Sequence, residues 1–506
     1  MKKGGVRVNR YQITVLPSKQ RLEAAAGSVL LDVLAANGCF LPAACGGKGT
    51  CGKCRVRLVS GSFEGVMPND RGEILSCHAR VTGDACVEVE TAVKGEAERL
   101  GDGVKRHYEG ATLGAVLDIG TTTLAAALID AETGTILRTA SRLNPQGVCG
   151  ADVLSRIAAF GEGKGELMQR LLLDAVKQML LELGDGAPVD TLTVAANTTM
   201  LHLLVGEDPT SIGAYPFTPR FVEAREYAGD ALGLPVQTVR LLPSVSAYIG
   251  ADVVAGAIAC DMDVSDKTLL LVDVGTNGEI LLSHKGKLYA ASAAAGPALE
   301  GACIECGMDG TVGAVNRVDA QNGILSFDTV GGAEAKGICG CGLIDLISCL
   351  VGEGVIDESG SWSEDEECDS PLMRYRREDR FEVCKGVYLL QKDIRQFQLA
   401  KAAISAAIEA LLAECGVDMS EIDELYLAGG LGYYMNIANA AKIGLIPRDL
   451  ANRAKAVGNS ALQGAVICSC DESARARADL LARRTEVIEL SFSQAFGDAY
   501  IENMTF

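Results

Sequence analysis

Cys45, Cys51, Cys54 and Cys77 have the residue type and spacing for metal chemistry. The stretch Cys45-Gly-Gly-Lys-Gly-Thr-Cys51-Gly-Lys-Cys54 packs three thiols into ten residues, and Cys77 follows a strand-like run. Thiolates ligate iron, and a [2Fe–2S] centre takes four of them. The intervening glycines let backbone N–H groups approach the sulfurs without side chains in the way. Structural zinc is the rival, because Cys-x-x-Cys pairs bind it too, but zinc sites usually show two such pairs and this region has one.

A second chemistry sits further along. Asp118-Ile-Gly120-Thr121-Thr122-Thr123 lies between two apolar, strand-like runs, and Asp273-Val-Gly275-Thr276-Asn277-Gly278 repeats the plan 155 positions later. Such a turn offers backbone N–H groups and hydroxyls to a phosphate, and its aspartate can hold Mg2+ through water. One copy is weak evidence, since hairpin turns favour these residues anyway. Two copies imply a domain-scale duplication and a phosphate clamp. Gly429 and Gly430 follow a strand-like run and can let backbone lie against a nucleobase or ribose.

The elements that position these groups read as three regions. Residues 11–17 and 21–25 suggest strands, 29–36 a helix capped by Ser28 and ended by Gly38, and 54–59 and 86–90 further strands. Strand, strand, helix, cysteine loop, strand is the order of an α+β β-grasp [2Fe–2S] ferredoxin domain, expected over residues 1–93. Residues 94–112 are charged, glycine-containing and aperiodic, and are expected to form a linker that lets the first domain change position. From 113 to 506 apolar strands alternate with helical runs such as 167–183 and 398–415, which predicts a duplicated α/β domain with halves 113–265 and 266–506. The acidic run 364–368, beside Trp362, reads as a solvated insertion.

Composition narrows the function. The net charge of -20 argues against nucleic acid or an anionic membrane as partner, and 5% aromatics leave few stacking platforms. Hydrophobic content of 48% suffices for sizeable cores, and no run is long and uncharged enough to span a bilayer. The first residues lack a secretory apolar run, so the 18 cysteines are expected to be reduced in a cytoplasmic setting.

The second region resembles the actin–sugar kinase–Hsp70 (ASKHA) superfamily. Asp118–Thr123 is similar to its first phosphate motif, Asp273–Gly278 to its second, and Gly429-Gly430 to its adenosine motif. Residues 249–256 and 458–465 resemble its two connecting helices. The likeness implies ATP and Mg2+ as cofactors, Asp118 and Asp273 acting on the metal, and Asp252, at the first connecting helix, orienting water or substrate. Placed after a ferredoxin domain, this ATPase resembles the reductive activators of corrinoid proteins. The stretches Asn144-Pro-Gln146, Asn197-Thr-Thr-Met200-Leu-His202, Gly296-Pro297-Ala-Leu-Glu300-Gly301 and Cys341-Gly-Leu-Ile-Asp345 carry that likeness. It implies an ATP-hydrolysing electron-transfer activase. Its partners would be a corrinoid protein of a methyltransferase system, returned from Co(II) to Co(I), and an external low-potential electron donor. A homodimer is one admissible assembly. Better-known members carry an extra middle domain or C-terminal [4Fe–4S] modules, and neither is read here.

Two other functions stay open: activation of a different metalloenzyme, such as a 2-hydroxyacyl-CoA dehydratase, or nucleotide-dependent redox sensing. Cys303/Cys306, Cys339/Cys341 and Cys468/Cys470 could bridge a second cluster but read equally well as turns. Cys39 and Cys86 read as packing residues, as does His202 in its apolar run.

Overall fold

The computed structural model describes residues 9–37, 39, 41, 47, 49, 52–89, 112–364 and 368–506. Cys45, Cys51, Gly38, residues 94–111 of the expected linker and the domain end near Val93 lie outside them, as do residues 365–367 of the acidic run.

The N-terminal region is a five-stranded sheet in the order Gln20–Ala25, Arg10–Leu16, Ala85–Glu88, Arg55–Ser60, Glu73–Leu75. Arg10–Leu16 pairs antiparallel with Gln20–Ala25 and parallel with Ala85–Glu88. The helix Leu30–Ala36 places Leu30, Leu31 and Leu34 on Ile13, Val15, Val56 and Val87, closing a separate core. Its N-cap is Val29, with no side-chain bond, rather than Ser28. The Leu30 amide donates instead to the Ala79 carbonyl at 2.8 Å, so tertiary pairing takes the role expected of a cap.

Two six-stranded sheets follow; five strands share one order, while the sixth, Arg225–Ala228 in the first and Glu486–Val487 in the second, joins opposite edges. In the first, Leu113–Ile119 pairs antiparallel with Thr123–Asp130, which pairs antiparallel with Ile136–Leu143. On its other side lie Thr191–Ala196, parallel, then Thr238–Leu241, parallel. In the second, Leu269–Val274, Gly278–His284 and Lys287–Ala293 form the same meander, with Glu424–Ala428 and Ala454–Gly458 as the parallel pair. Both phosphate-type turns therefore sit at the same bend of the same motif.

Each sheet buries near-continuous apolar strands under helices, as strands covered on both faces require. Gly165–Gly184 packs on the first sheet, while Gln391–Cys415, seven residues longer at its start than the expected 398–415, packs on the second. The helices Ala251–Ala259 and Ser460–Cys470 lie against each other between the halves, at the two stretches likened to connecting helices. The approach is backbone to backbone: a Cβ on Gly464 would overlap the Ala255 carbonyl oxygen, and one on Gly256 would come within 2.8 Å of Ser460 Oγ.

Candidate functional site

The two hairpin turns are built alike. Gly120 N–H donates to the Thr123 carbonyl at 2.9 Å, and Gly275 N–H to the Asn277 carbonyl at 3.1 Å. The first turn is braced from three sides. Asn144 Nδ2 donates to the Gly120 carbonyl at 2.9 Å and Asn197 Nδ2 to Thr121 Oγ1 at 3.3 Å. The Arg156 guanidinium donates to the Thr121 carbonyl. Arg156 is fully buried, and burial lowers its pKa to about 10. In the second turn, Thr276 Oγ1 is buried and has no hydrogen-bond partner, an unsatisfied group that a phosphate oxygen would suit.

Carboxyl groups converge between the turns. Burial raises Asp118 to about 7, helped by the nearby Asp273 charge and opposed by the bond from Asn459 Nδ2 to Asp118 Oδ2 at 2.7 Å. Asp252 and Asp273 are each raised to about 7, by burial first and then by Asp118 and by Asp252 respectively. Glu279 is raised well above its ordinary value by burial, then by Asp252 and Asp273. Four acids that repel one another in one cleft would be relieved by a divalent cation held through water rather than by direct ligation. Asp252 also accepts from the Val253 amide at 2.9 Å, so it is a helix-start carboxylate and a member of this cluster at once.

The glycine pair lies at the same place. Gly429 has φ +84°, and a Cβ there would sit 2.6 Å from Asp273 Oδ1. Gly429 thus lets the chain pass directly over the second aspartate, at the start of the short helix Gly429–Tyr434. The Asn459 side chain caps the second connecting helix by accepting from Leu462 N at 2.7 Å while it holds Asp118. Asp118, Asp252, Asp273, the turn residues 120–123 and 275–278, and Gly429 are thereby brought together.

On the N-terminal domain, Cys54 and Cys77 are buried in the same small core. Ser76 joins their segments: its amide and hydroxyl both donate to the Cys54 carbonyl, at 3.0 and 2.8 Å. Gly47, Gly49 and Gly52 have φ of +87°, +77° and +68°, the left-handed region that favours glycine. A Cβ on Gly47 would lie 3.9 Å from Cys77 Cβ, and one on Gly49 would overlap the His78 imidazole. Two buried thiols beside a loop with three left-handed glycines fit a [2Fe–2S] cluster.

Some expected and unexpected residues sort out here. His202 is a core residue: Nδ1 lies 2.7 Å from the Thr198 carbonyl, Nε2 accepts from Arg220 N, and the ring stacks on Phe221. Among the described residues no three His, Cys, Asp or Glu groups gather closely enough to ligate a metal ion directly. Glu279, Glu300 and Asn459 were not singled out as site residues. Glu279 could have been found by register, since it pairs directly with Asp273. Glu300 and Asn459 lie in stretches noted for their family likeness, but come from distant segments, so nothing local places their side chains in the cleft. Among the described residues, no helix is long and apolar enough to cross a membrane.

Known proteins share this arrangement. Residues 13–82 match the family described as a 2Fe-2S iron-sulfur cluster binding domain, 113–265 the RACo middle region, and 267–506 the C-terminal, ASKHA domain of RACo. The matched middle region coincides with the expected first half, 113–265, and contains the first of the two six-stranded sheets. Corrinoid activation enzyme RamQ of Eubacterium limosum is 32% identical over 417 residues, covering 78% of this chain and 70% of that protein. [Co(II) methylated amine-specific corrinoid protein] reductase of Methanosarcina barkeri is 25% identical over 385 residues, covering 69% and 68%. The solved structure titled "Reductive activator for corrinoid,iron-sulfur protein" superposes with a TM-score of 0.72 at 26% identity, covering 98% of both chains. With a ferredoxin-type domain joined to a duplicated ASKHA fold, the chain belongs to the family of reductive activators of corrinoid proteins.

Proposed function

We propose that this protein is an ATP-dependent reductive activator that returns the Co(II) corrinoid of a methyltransferase system to Co(I). The observation that carries this reading is the convergence of Asp118, Asp252, Asp273 and Glu279 between two phosphate-type turns, in a chain that also bears a thiolate site. Cys45, Cys51, Cys54 and Cys77 would hold the [2Fe–2S] cluster, which supplies a one-electron carrier. Thr121, Thr122, Thr276 and the turn amides would bind the phosphates of ATP, Asp118 and Asp273 would hold Mg2+, and Gly429 and Gly430 would border the nucleoside. Asp252 would orient the attacking water.

Energetics explain why the two parts share one chain. For one electron, ~59 mV corresponds to ~1.4 kcal/mol. An ordinary allosteric coupling of ~3 kcal/mol therefore shifts a potential by only ~130 mV. Nucleotide-driven closure must change the cobalt site of the bound partner as well as present the electron. An external low-potential donor would recharge the protein. The test mixes the holoprotein, a chemical reductant and a corrinoid protein under anaerobic conditions and follows the Co(I) absorbance. Appearance only with Mg–ATP supports the reading; equal Co(I) formation without nucleotide overturns it.

A further inference from the structure

Lys53 lies inside the cysteine loop, between Cys51 and Cys54, yet its ammonium bonds to the other domain. Lys53 Nζ donates to the carbonyls of Ile304, Gly307 and Glu305 at 2.9, 3.3 and 3.4 Å. Three acceptors match the three protons of an ammonium group. Glu305 adds a carboxylate that Lys392, Lys53 and Arg55 together hold below its ordinary pKa, so the charges across the contact are complementary.

The turn that supplies this cage continues directly from Glu300. Glu300 Oε2 accepts from Thr122 Oγ1 of the first phosphate turn at 2.5 Å. Its other oxygen lies 3.5 Å from where a Cβ on Gly275, in the second turn, would be. The carboxylate thus spans both turns, and the charged groups around it are Arg156, Asp273 and Asp309. Residues 301–308 are stiff. Ala302 N–H donates to Pro297 at 3.1 Å, Gly307 N–H to Ile304 at 3.0 Å and Met308 N–H to Ile338 at 3.0 Å, while Glu305 N–H donates to Asp393 Oδ1 at 2.9 Å. Burial raises Asp309 to about 6, and it also feels both ends, raised by Glu300 and lowered by Lys53.

We propose that Glu300 and Lys53 are the two ends of a nucleotide-operated latch that holds the cluster domain on the ATPase domain. The inference rests on the reading of the cleft as a nucleoside triphosphate site. Thr122 has one hydroxyl proton, so a phosphate oxygen that takes it must displace the Glu300 carboxylate, and like charge pushes the same way. Displacement moves the Gly301–Gly307 turn as a unit, at the expense of its bonds to Ile338 and Asp393, and so carries the three carbonyls away from Lys53. The cluster domain is then released toward the bound partner only when nucleotide is in place. This ties electron delivery to ATP.

The experiment is amine footprinting of the full-length holoprotein under anaerobic conditions, with N-hydroxysuccinimidyl acetate and mass spectrometry, exposed Lys19 serving as reference. Without nucleotide, Lys53 should acylate about tenfold more slowly than Lys19, because it reacts only when the cage opens. Saturating Mg–AMPPNP should bring its rate to within about threefold of Lys19. Glu300→Ala should raise the Lys53 rate without nucleotide and abolish the response. Lys53 as reactive as Lys19 from the start, or slow and unmoved while calorimetry shows AMPPNP bound, overturns the latch and leaves the proposed function standing. Failure of AMPPNP to bind at all overturns both. The wild-type comparison decides the question even if Glu300→Ala does not fold.

Discussion

Asp273 and Glu279 are register partners across the second hairpin, whereas the equivalent partner of Asp118 in the first hairpin is Ala125. The duplication thus places an extra acid on one side of the cleft. Burial, then the charges of Asp252 and Asp273, push the Glu279 carboxyl well above its ordinary pKa. Glu279→Gln should raise the stability of the nucleotide-free protein by about 1 kcal/mol, because an isosteric neutral group removes that repulsion. It should also lower ATP turnover about tenfold or more, as the donor set for the cation is weakened. Thermal melts and a phosphate-release assay on the same samples check both halves.

Asn459 links the second connecting helix to the first phosphate turn through two bonds of 2.7 Å, one to Asp118 and one from Leu462 N. Asn459→Ala should cost about 1–2 kcal/mol through the lost cap. Asn459→Asp keeps a capping oxygen but sets a second carboxylate against Asp118. It should melt below wild type near neutral pH, through repulsion rather than a lost cap, and raise the KM for Mg–ATP several-fold, and a steady-state titration reads the second effect.

Cys54 is buried and its carbonyl is held by Ser76. Anaerobically purified wild type should contain about two irons per chain and no stoichiometric zinc, while Cys54→Ser should lose the charge-transfer absorbance. Elemental analysis distinguishes iron from the zinc alternative directly.

Gly49 combines a positive φ with contact to the His78 ring. Gly49→Ala should destabilise the ferredoxin-type domain by about 1–3 kcal/mol, from backbone strain plus overlap. Adding His78→Ala should recover the overlap portion alone. Bleaching of the cluster chromophore in denaturant is the measurement.

Lys401 is fully buried and donates to the carbonyls of Asn503 and Thr505 at 2.7 and 2.5 Å, pinning the last residues of the chain. Burial lowers its pKa to about 8. An unfolded lysine titrates near 10.4, so between those values the unfolded chain binds the extra proton and the residue's contribution to stability rises with pH. Lys401→Met removes that slope. Relative to the variant, wild type should gain about 1–3 kcal/mol between pH 8 and pH 10 in denaturant titrations.

What could be read in the sequence was whatever local chemistry enforces. Asp-x-Gly-Thr turns announce themselves because a tight bend next to a phosphate needs those residues, and the cysteine loop does so because thiols and glycines cluster within it. Both connecting helices and both hairpins stand where those patterns put them. The expected Ser28 cap failed because the Leu30 amide found a partner fifty residues away, at Ala79, and no local rule sees that bond. Glu300, Arg156 and Asn459 lie in stretches that carry the family likeness, but their place in the cleft stayed hidden for the same reason: each reaches it by tertiary packing. Lys53 is the sharpest case, since a lysine in a polar loop carries no sign that its partner lies in another domain.

The bare contact between the Ala251–Ala259 and Ser460–Cys470 helices has a consequence for heredity. Where Gly464 faces the Ala255 carbonyl, the two backbones meet with no side chain between them. The same bareness leaves no room for tinkering. Gly256 and Gly464 touch no expected ligand, yet a saturation library selected for growth on the protein's activity should tolerate almost nothing but glycine at Gly464 and little more than alanine at Gly256.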